Sequence, residues 1–349
     1  MSAGTTDSAD SPTRILRPGR IAGRRRWRAA AEWVLRVCCL GPLLLAAGGC
    51  GGDGEQAREP EQAPAAAPAG LTIGVSLLTR THPFYQELEA GLVEAAQRFG
   101  YELIVQAGEF DVARQKDQLD NFIVRGVHAI VVAPCDSKSI GTAIQAANAA
   151  GIPVFTADIA VLADEVEVVC HIASDNFEGG RLAAKAINMA VGNRARIAII
   201  DHPEVESVIQ RVRGFEEGLS HRVGLDIVAK LSGRGVKDVA FKTAEDILQA
   251  HPDLDAIFAI NDDSALGALA AVEKAGRLGR IVIVGFDAVP EARRAIAAGK
   301  IFADVMQQPR LIGKTTIETI AAYAAGQEVP SEILIPCELY TRKEALAES

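Results

Sequence analysis

From Leu71 onward the chain alternates short apolar runs with amphipathic stretches of helical period, and it does so twice in succession. The first series has runs at 73–78, 103–107, 129–133 and 154–156, with helical patterns at 84–99, 112–125 and 137–150 between them. The second has runs at 197–200, 227–231, 257–260 and 281–284, with helical patterns at 177–191, 205–219, 236–250 and 264–275. Short apolar runs bounded by turn residues are buried strands. Strands that alternate with helices pair in parallel, because each crossover helix packs back onto the sheet. Two such series predict two doubly wound α/β lobes, and 349 residues with 49% hydrophobic content suffice to build them.

Two of the runs stop abruptly at polar residues. Ala256 to Ile260 ends in Asn261-Asp262-Asp263 before a helical pattern, and Ile281 to Val284 ends in Gly285-Phe286-Asp287 before Pro290 opens the next helix. Asn261 and Asp287 therefore sit at carboxyl ends of strands, the edge at which open α/β sheets bind ligands. An amide beside a carboxylate offers donors and acceptors together, which suits a neutral polyhydroxylated ligand.

The stretch from Phe258 through Asn261-Asp262-Asp263 to Ala268, the block Val284-Gly285-Phe286-Asp287, and His171 to Asn176 followed by Gly179-Gly180 resemble the ribose-binding-protein-like family. Its members are periplasmic sugar-binding proteins, the type I solute-binding components of ABC importers. The resemblance spans roughly residues 71–341. It implies lobes joined by a hinge that the chain crosses near Ser174-Asp175, near Gln307 and again near its C-terminus. The N-terminal lobe would be residues 71–174 plus 308–337, and the C-terminal lobe 175–307 plus 338–349.

The N-terminus has a different composition. A basic segment from Arg14 to Arg36, an apolar run from Val37 to Ala47 and small residues before Cys50 form an export signal, too short in its apolar part for a stable span. Ala47-Gly48-Gly49-Cys50 resembles a lipobox, so residues 1–49 are expected to be a lipoprotein signal peptide and Cys50 the lipidated residue. The alternatives are a plainly cleaved signal, an uncleaved anchor, and twin-arginine export through Arg24-Arg25-Arg26. Residues 50–70, rich in Gly, Ala, Pro and Glu, read as a flexible tether.

Without residues 1–49 the chain keeps 28 basic and 42 acidic residues, a formal net charge of −14, which argues against nucleic-acid binding. Cys135, Cys170 and Cys337 show no metal spacing and are read as buried small apolar residues, with one disulfide allowed. Gly233-Arg234-Gly235 begins a GxG, but Asp238 stands at the third glycine position. No phosphate loop, nucleophile elbow or metal motif is recognisable, so no cofactor, no metal and no catalysis are expected. Asp262-Asp263 reads as helix-start acids, and His171 as structural.

The resemblance carries over several ligand contacts. Phe84 and Tyr85 match paired aromatics that press on a sugar's C–H face, the alternative being a core pair. Asp158 matches an acceptor for hydroxyls, or else caps the following loop. Arg211 matches a forked donor, with Arg213 close enough to exchange roles. Asn261 and Asp287 complete the second-lobe set, and Gln307 matches a hinge glutamine that touches ligand or simply ties the hinge. Three positions depart from the ribose pattern: His82 replaces an asparagine, Ile159 replaces an arginine, and Gly235 falls where an aromatic is expected. Another monosaccharide or a polyol is therefore the predicted ligand.

Together these features predict a lipid-anchored, monomeric extracytoplasmic protein that delivers a small carbohydrate to an ABC permease and its ATPase. The alternative within the same fold is a sensor that signals sugar or autoinducer occupancy to a membrane receptor. A repressor with the same core would need a helix-turn-helix in place of the export signal.

Overall fold

The structure, a computed structural model, describes residues 67–348. The expected signal peptide, Cys50 and most of the tether lie outside the described residues. Two six-stranded sheets form, each built around central strands whose side chains are buried on both faces, as sheets covered by helices require.

In the first sheet, β1 (Thr72–Leu77), β2 (Glu102–Ala107), β3 (Ala129–Val132), β4 (Val154–Ala157), β5 (Cys170–Ser174) and β11 (Glu332–Ile335) take the order β11-β5-β4-β3-β1-β2, all parallel. In the second, β6 (Ala195–Asp201), β7 (Leu225–Ser232), β8 (Ala256–Ala259), β9 (Val282–Asp287), β10 (Ala303–Met306) and β12 (Glu338–Thr341) take the matching order β12-β10-β9-β8-β6-β7. The expectation of parallel sheets needs one correction: β12 runs antiparallel to β10. It enters from Pro336-Cys337, straight out of β11, and no crossover helix intervenes to reverse it.

Helices α1 (Pro83–Phe99), α2 (Val112–Arg125), α3 (Gly141–Ala149) and α9 (Pro309–Ala324) cover the first sheet. Helices α4 (Asn176–Val191), α5 (Glu206–Leu219), α6 (Lys237–Ala250), α7 (Asp262–Lys274), α8 (Pro290–Ala297) and α10 (Arg342–Ala347) belong with the second. Helix α3 begins later than its periodicity suggests. Asp136 takes the amides of Lys138 and Ser139 into a turn first. Two helix pairs that carry site residues approach backbone to backbone. A Cβ on Gly180 of α4 would lie 2.1 Å from the Arg211 carbonyl of α5, and one on Gly91 of α1 would lie 2.1 Å from the Arg310 carbonyl of α9. Only glycine permits such approach, and it sets the depth at which Arg211 and Tyr85 enter the cleft.

The chain passes between the sheets three times: after β5, after β10 and between β11 and β12. All three passages lie at one edge of each sheet, leaving β2 and β7 at the opposite edges. On that far side the two halves also touch. The Ser137 amide donates to the Glu204 carbonyl (3.1 Å), and the Glu206 amide donates to the Ser137 hydroxyl (2.9 Å). With the hinge closed on one side and these bonds on the other, the cleft is shut.

Candidate functional site

The closed cleft holds a cavity of about 50 Å³, several times the space one water needs. His82, Phe84, Tyr85, Asp158, Arg211, Asn261, Asp287 and Gln307 all line it, although they come from widely separated segments.

Asp158 and Asp287 occupy equivalent places, each at the carboxyl end of the third strand from the hinge edge. Both have left-handed backbones, φ 69° and 112°, a conformation that is costly for a non-glycine residue and that collects at ligand sites. Neither caps a helix. Asp158 accepts from the Tyr85 hydroxyl at 2.6 Å through Oδ2, while its Oδ1 is buried without a partner. Burial pushes the Asp158 carboxyl up to about 6 against the opposing pull of Arg211. Burial also raises the Tyr85 phenol well above its ordinary value.

Asp287 is the junction of the site. Gln307 Nε2 donates to its Oδ1 at 2.5 Å, Arg211 Nη1 stands 3.8 Å from the same oxygen, and His82 Nε2 stands 3.7 Å from Oδ2. Burial raises its pKa, and Arg211 and His82 hold it back. Since His82 lies on the first-lobe side and Asp287 on the second, this contact spans the cleft.

Arg211 is fixed before any ligand arrives. Its Nε donates to Asn176 Oδ1 and its Nη1 to the Ile260 carbonyl, both at 2.8 Å, while the guanidinium lies 3.9 Å from the Phe286 ring centre. Nη2 makes no hydrogen bond to protein. Arg213 bonds Gln210 on the exposed side of α5 instead, which resolves the choice between the two arginines in favour of Arg211 as the cleft residue.

Asn261 is engaged more heavily than expected from sequence. Its Oδ1 accepts from the Ser264 amide as the N-cap of α7, and its Nδ2 donates to the Gly235 carbonyl. The Gly233-Arg234-Gly235 turn it holds has left-handed backbone at Arg234 and Gly235, and a Cβ at 235 would meet Asn261 and the His202 ring at 3.3 Å. An aromatic there would be strained, and His202 lies on that flank. Asp262 is also more than a helix-start acid. Fully buried, it accepts from the Val289 amide at 2.6 Å, and burial, reinforced by the neighbouring Asp304, raises its carboxyl well above the ordinary value. Asp304 is itself raised to about 7 by burial.

Phe84 and Tyr85 meet edge to face, 5.1 Å between centres, after His82 Nδ1 caps α1 through the Phe84 amide. His82 Nε2 and Gln307 Oε1 remain buried without partners, like Asp158 Oδ1. Two acceptor oxygens and one ring nitrogen of cavity-lining residues are thus left for which hydroxyl groups would be suitable partners. His171 is structural, bonded to Thr156 Oγ1 at 2.8 Å and pushed down to about 4 by burial.

Phe110, His202, Ser207 and Val208 also line the cavity and were missed in the sequence. His202 follows directly on β6 and Phe110 lies three residues beyond β2, so applying the strand-end rule to the loops after every strand would have found both. Ser207 and Val208 precede Arg211 by one turn of α5. The three cysteines are unpaired, and among the described residues no group of three or more His, Cys, Asp and Glu could hold a metal.

The sequence model of the periplasmic binding protein domain family matches residues 73–328. The ribose import binding protein of Bacillus subtilis is 35% identical over 274 residues, covering 78% of this chain and 88% of that protein. A solved ABC transporter solute binding protein from Mycobacterium smegmatis with bound glycerol is 32% identical, with a TM-score of 0.75, covering 80% of this chain and 96% of that one. The Caulobacter myo-inositol binding protein bound to myo-inositol, 28% identical, also reaches 0.75, covering 79% of this chain and 95% of that one. These relatives are solute-binding proteins and not enzymes.

Proposed function

From the premise that this chain belongs to the periplasmic binding protein family, we propose that it is the extracytoplasmic solute receptor of an ABC importer, taking a monosaccharide or related polyol between its lobes. The observation that carries this reading is the closed cavity in which both lobes contribute polar groups, three of whose atoms are buried without protein partners.

The geometry accounts for capture. In an open state the two walls are hydrated separately. A ligand whose hydroxyls reach Asp158 and His82 on one side and Arg211 and Asp287 on the other ties the walls together and shifts the hinge equilibrium toward closed. Closure removes water, which strengthens each of those bonds. The moving bodies in this reading are residues 71–174 with 308–337 and 175–307 with 338–349, and the Ser137 bonds to Glu204 and Glu206 form only when they meet. Cys50 carries the lipid and the tether holds the receptor near the permease and its ATPase as a monomer.

Thermal unfolding of the full-length protein against pentoses, hexoses and polyols tests the reading. A true ligand at about 100 times its dissociation constant adds about 2.7 kcal/mol of stability. Failure of every sugar and polyol to raise the midpoint would sink it. For the anchor, Cys50→Ser should release the protein from the membrane fraction.

A further inference from the structure

We infer that the solute taken by this cleft carries one apolar, methyl-type end, as a 6-deoxy sugar does; the inference rests on the sugar-binding reading above. The cavity wall is divided. Most of its polar groups gather on the hinge side, where Asp287 ends β9, Gln307 follows β10, His82 and Tyr85 open α1 and reach Asp287 and Asp158, and Arg211 stands 3.8 Å from Asp287. Toward the opposite edge, Leu78 continues from β1, Phe110 lies beyond β2, and Val205 and Val208 stand at the start of α5 after β6. Ile159, buried to 1%, adds an apolar face where the resemblance implied an arginine.

Polar residues on that far side are partly engaged elsewhere. Thr79 Oγ1 donates to Glu109 Oε2 at 2.6 Å, and His202 Nε2 faces Glu204 at 3.6 Å, too far for a hydrogen bond, leaving the His202 ring and the Ser207 hydroxyl. The apolar wall is also held firmly. Glu109 and Phe110 both have left-handed backbones, φ 52° and 63°, and the Glu109 carboxylate is clamped by Thr79 and by the Arg80 amide. Two such residues in succession persist only where the surroundings over-determine them, and here they set Phe110 against the cavity. A hydroxymethyl group pressed on the buried part of this wall would lose water partners and find few replacements. A methyl group loses nothing and gains contact.

Titration calorimetry of the full-length protein with sugars matched except at the terminal carbon decides the matter: D-fucose with D-galactose, L-rhamnose with L-mannose, and 6-deoxy-D-glucose with D-glucose. In whichever stereochemical series binds, the deoxy member should bind about tenfold to a hundredfold more tightly. Val208→Thr, which adds a hydroxyl to the wall at nearly constant volume, should narrow that ratio. Should the variant not fold, the matched pairs on the natural protein decide alone. Equal or tighter binding of the hydroxylated member, or binding confined to pentoses and fully hydroxylated polyols, overturns this inference and leaves the sugar-binding reading standing. No binding of any sugar or polyol overturns both.

Discussion

The two lobes present similar walls to the cavity but rest them on different foundations. Beneath the first-lobe wall lies a neutral amide network. Ser76 Oγ donates to Gln118 Oε1, Gln118 Nε2 to the Ala107 carbonyl, Gln115 Nε2 to the Ala133 carbonyl, and the Cys135 amide to Gln115 Oε1. Beneath the second-lobe wall lie acids: Asp262 and Asp304, both fully buried near Asp287 and both raised in pKa chiefly by that burial. Neutral amides satisfy one another at any pH, whereas packed carboxyls must retain protons to coexist. The network under the first-lobe wall is thus indifferent to pH, and the acids under the second respond to it. A second contrast follows the first. Arg211 and Asn261 are each tied by two protein hydrogen bonds, while Asp158 keeps one oxygen unpartnered. The second lobe holds its binding groups in advance, and the first keeps more of its bonding capacity for the ligand.

Five substitutions test this contrast. Arg211→Ala should have the largest effect, because it strands Asp287 among acids and removes two hydrogen bonds. We expect about 3–5 kcal/mol lost in denaturant unfolding together with ligand binding. Asp158→Ala, made in parallel, should lose binding at little cost to stability. If the two variants proved equally stable, the division of labour between lobes would be wrong.

Next, Gln118→Glu places an acid in the neutral network and removes a donor, for about 2–3 kcal/mol at pH 8. Unfolding at pH 5 should recover part of the loss as the new carboxyl takes up a proton; a loss independent of pH would show that packing, not charge, is at stake.

The converse change, Asp304→Asn, should stabilise the protein by about 1–2 kcal/mol at pH 8. The sign follows from linkage. With a folded value of about 7 and an ordinary value of 3.8, folded Asp304 binds a proton that the unfolded chain does not hold between those limits. Its contribution to stability is therefore greatest near pH 4 and declines as pH rises toward 7, by at most about 1.4 kcal/mol per unit. A pH series of unfolding midpoints should be shallower in the variant, and an unchanged slope would remove Asp304 as the source. The smallest effect belongs to Asn261→Ala, about 1 kcal/mol from the lost α7 cap, measured by the same unfolding assay.

Much of this architecture was legible from local pattern. Apolar runs such as Ile281 to Val284 could be nothing but buried strands, and the repeated alternation with helices dictated two α/β lobes. Asp287 and Asn261 were findable because strand ends follow directly from where an apolar run stops. Pairing partners that are distant in sequence were not: β11 and β12 are only four residues each, and their membership in different sheets depends on which edge is open when the chain returns. The Asp262–Asp304 pair joins residues 42 positions apart, and both carboxyls are raised only because folding excludes water from them. Hydrophobic periodicity, a property of neighbours along the chain, determined the layers by itself. The electrostatics of the cleft, the left-handed turn that sets Phe110 against it and the engagement of Asn261 came from tertiary packing, since burial and partner choice depend on groups that meet only after the lobes have formed.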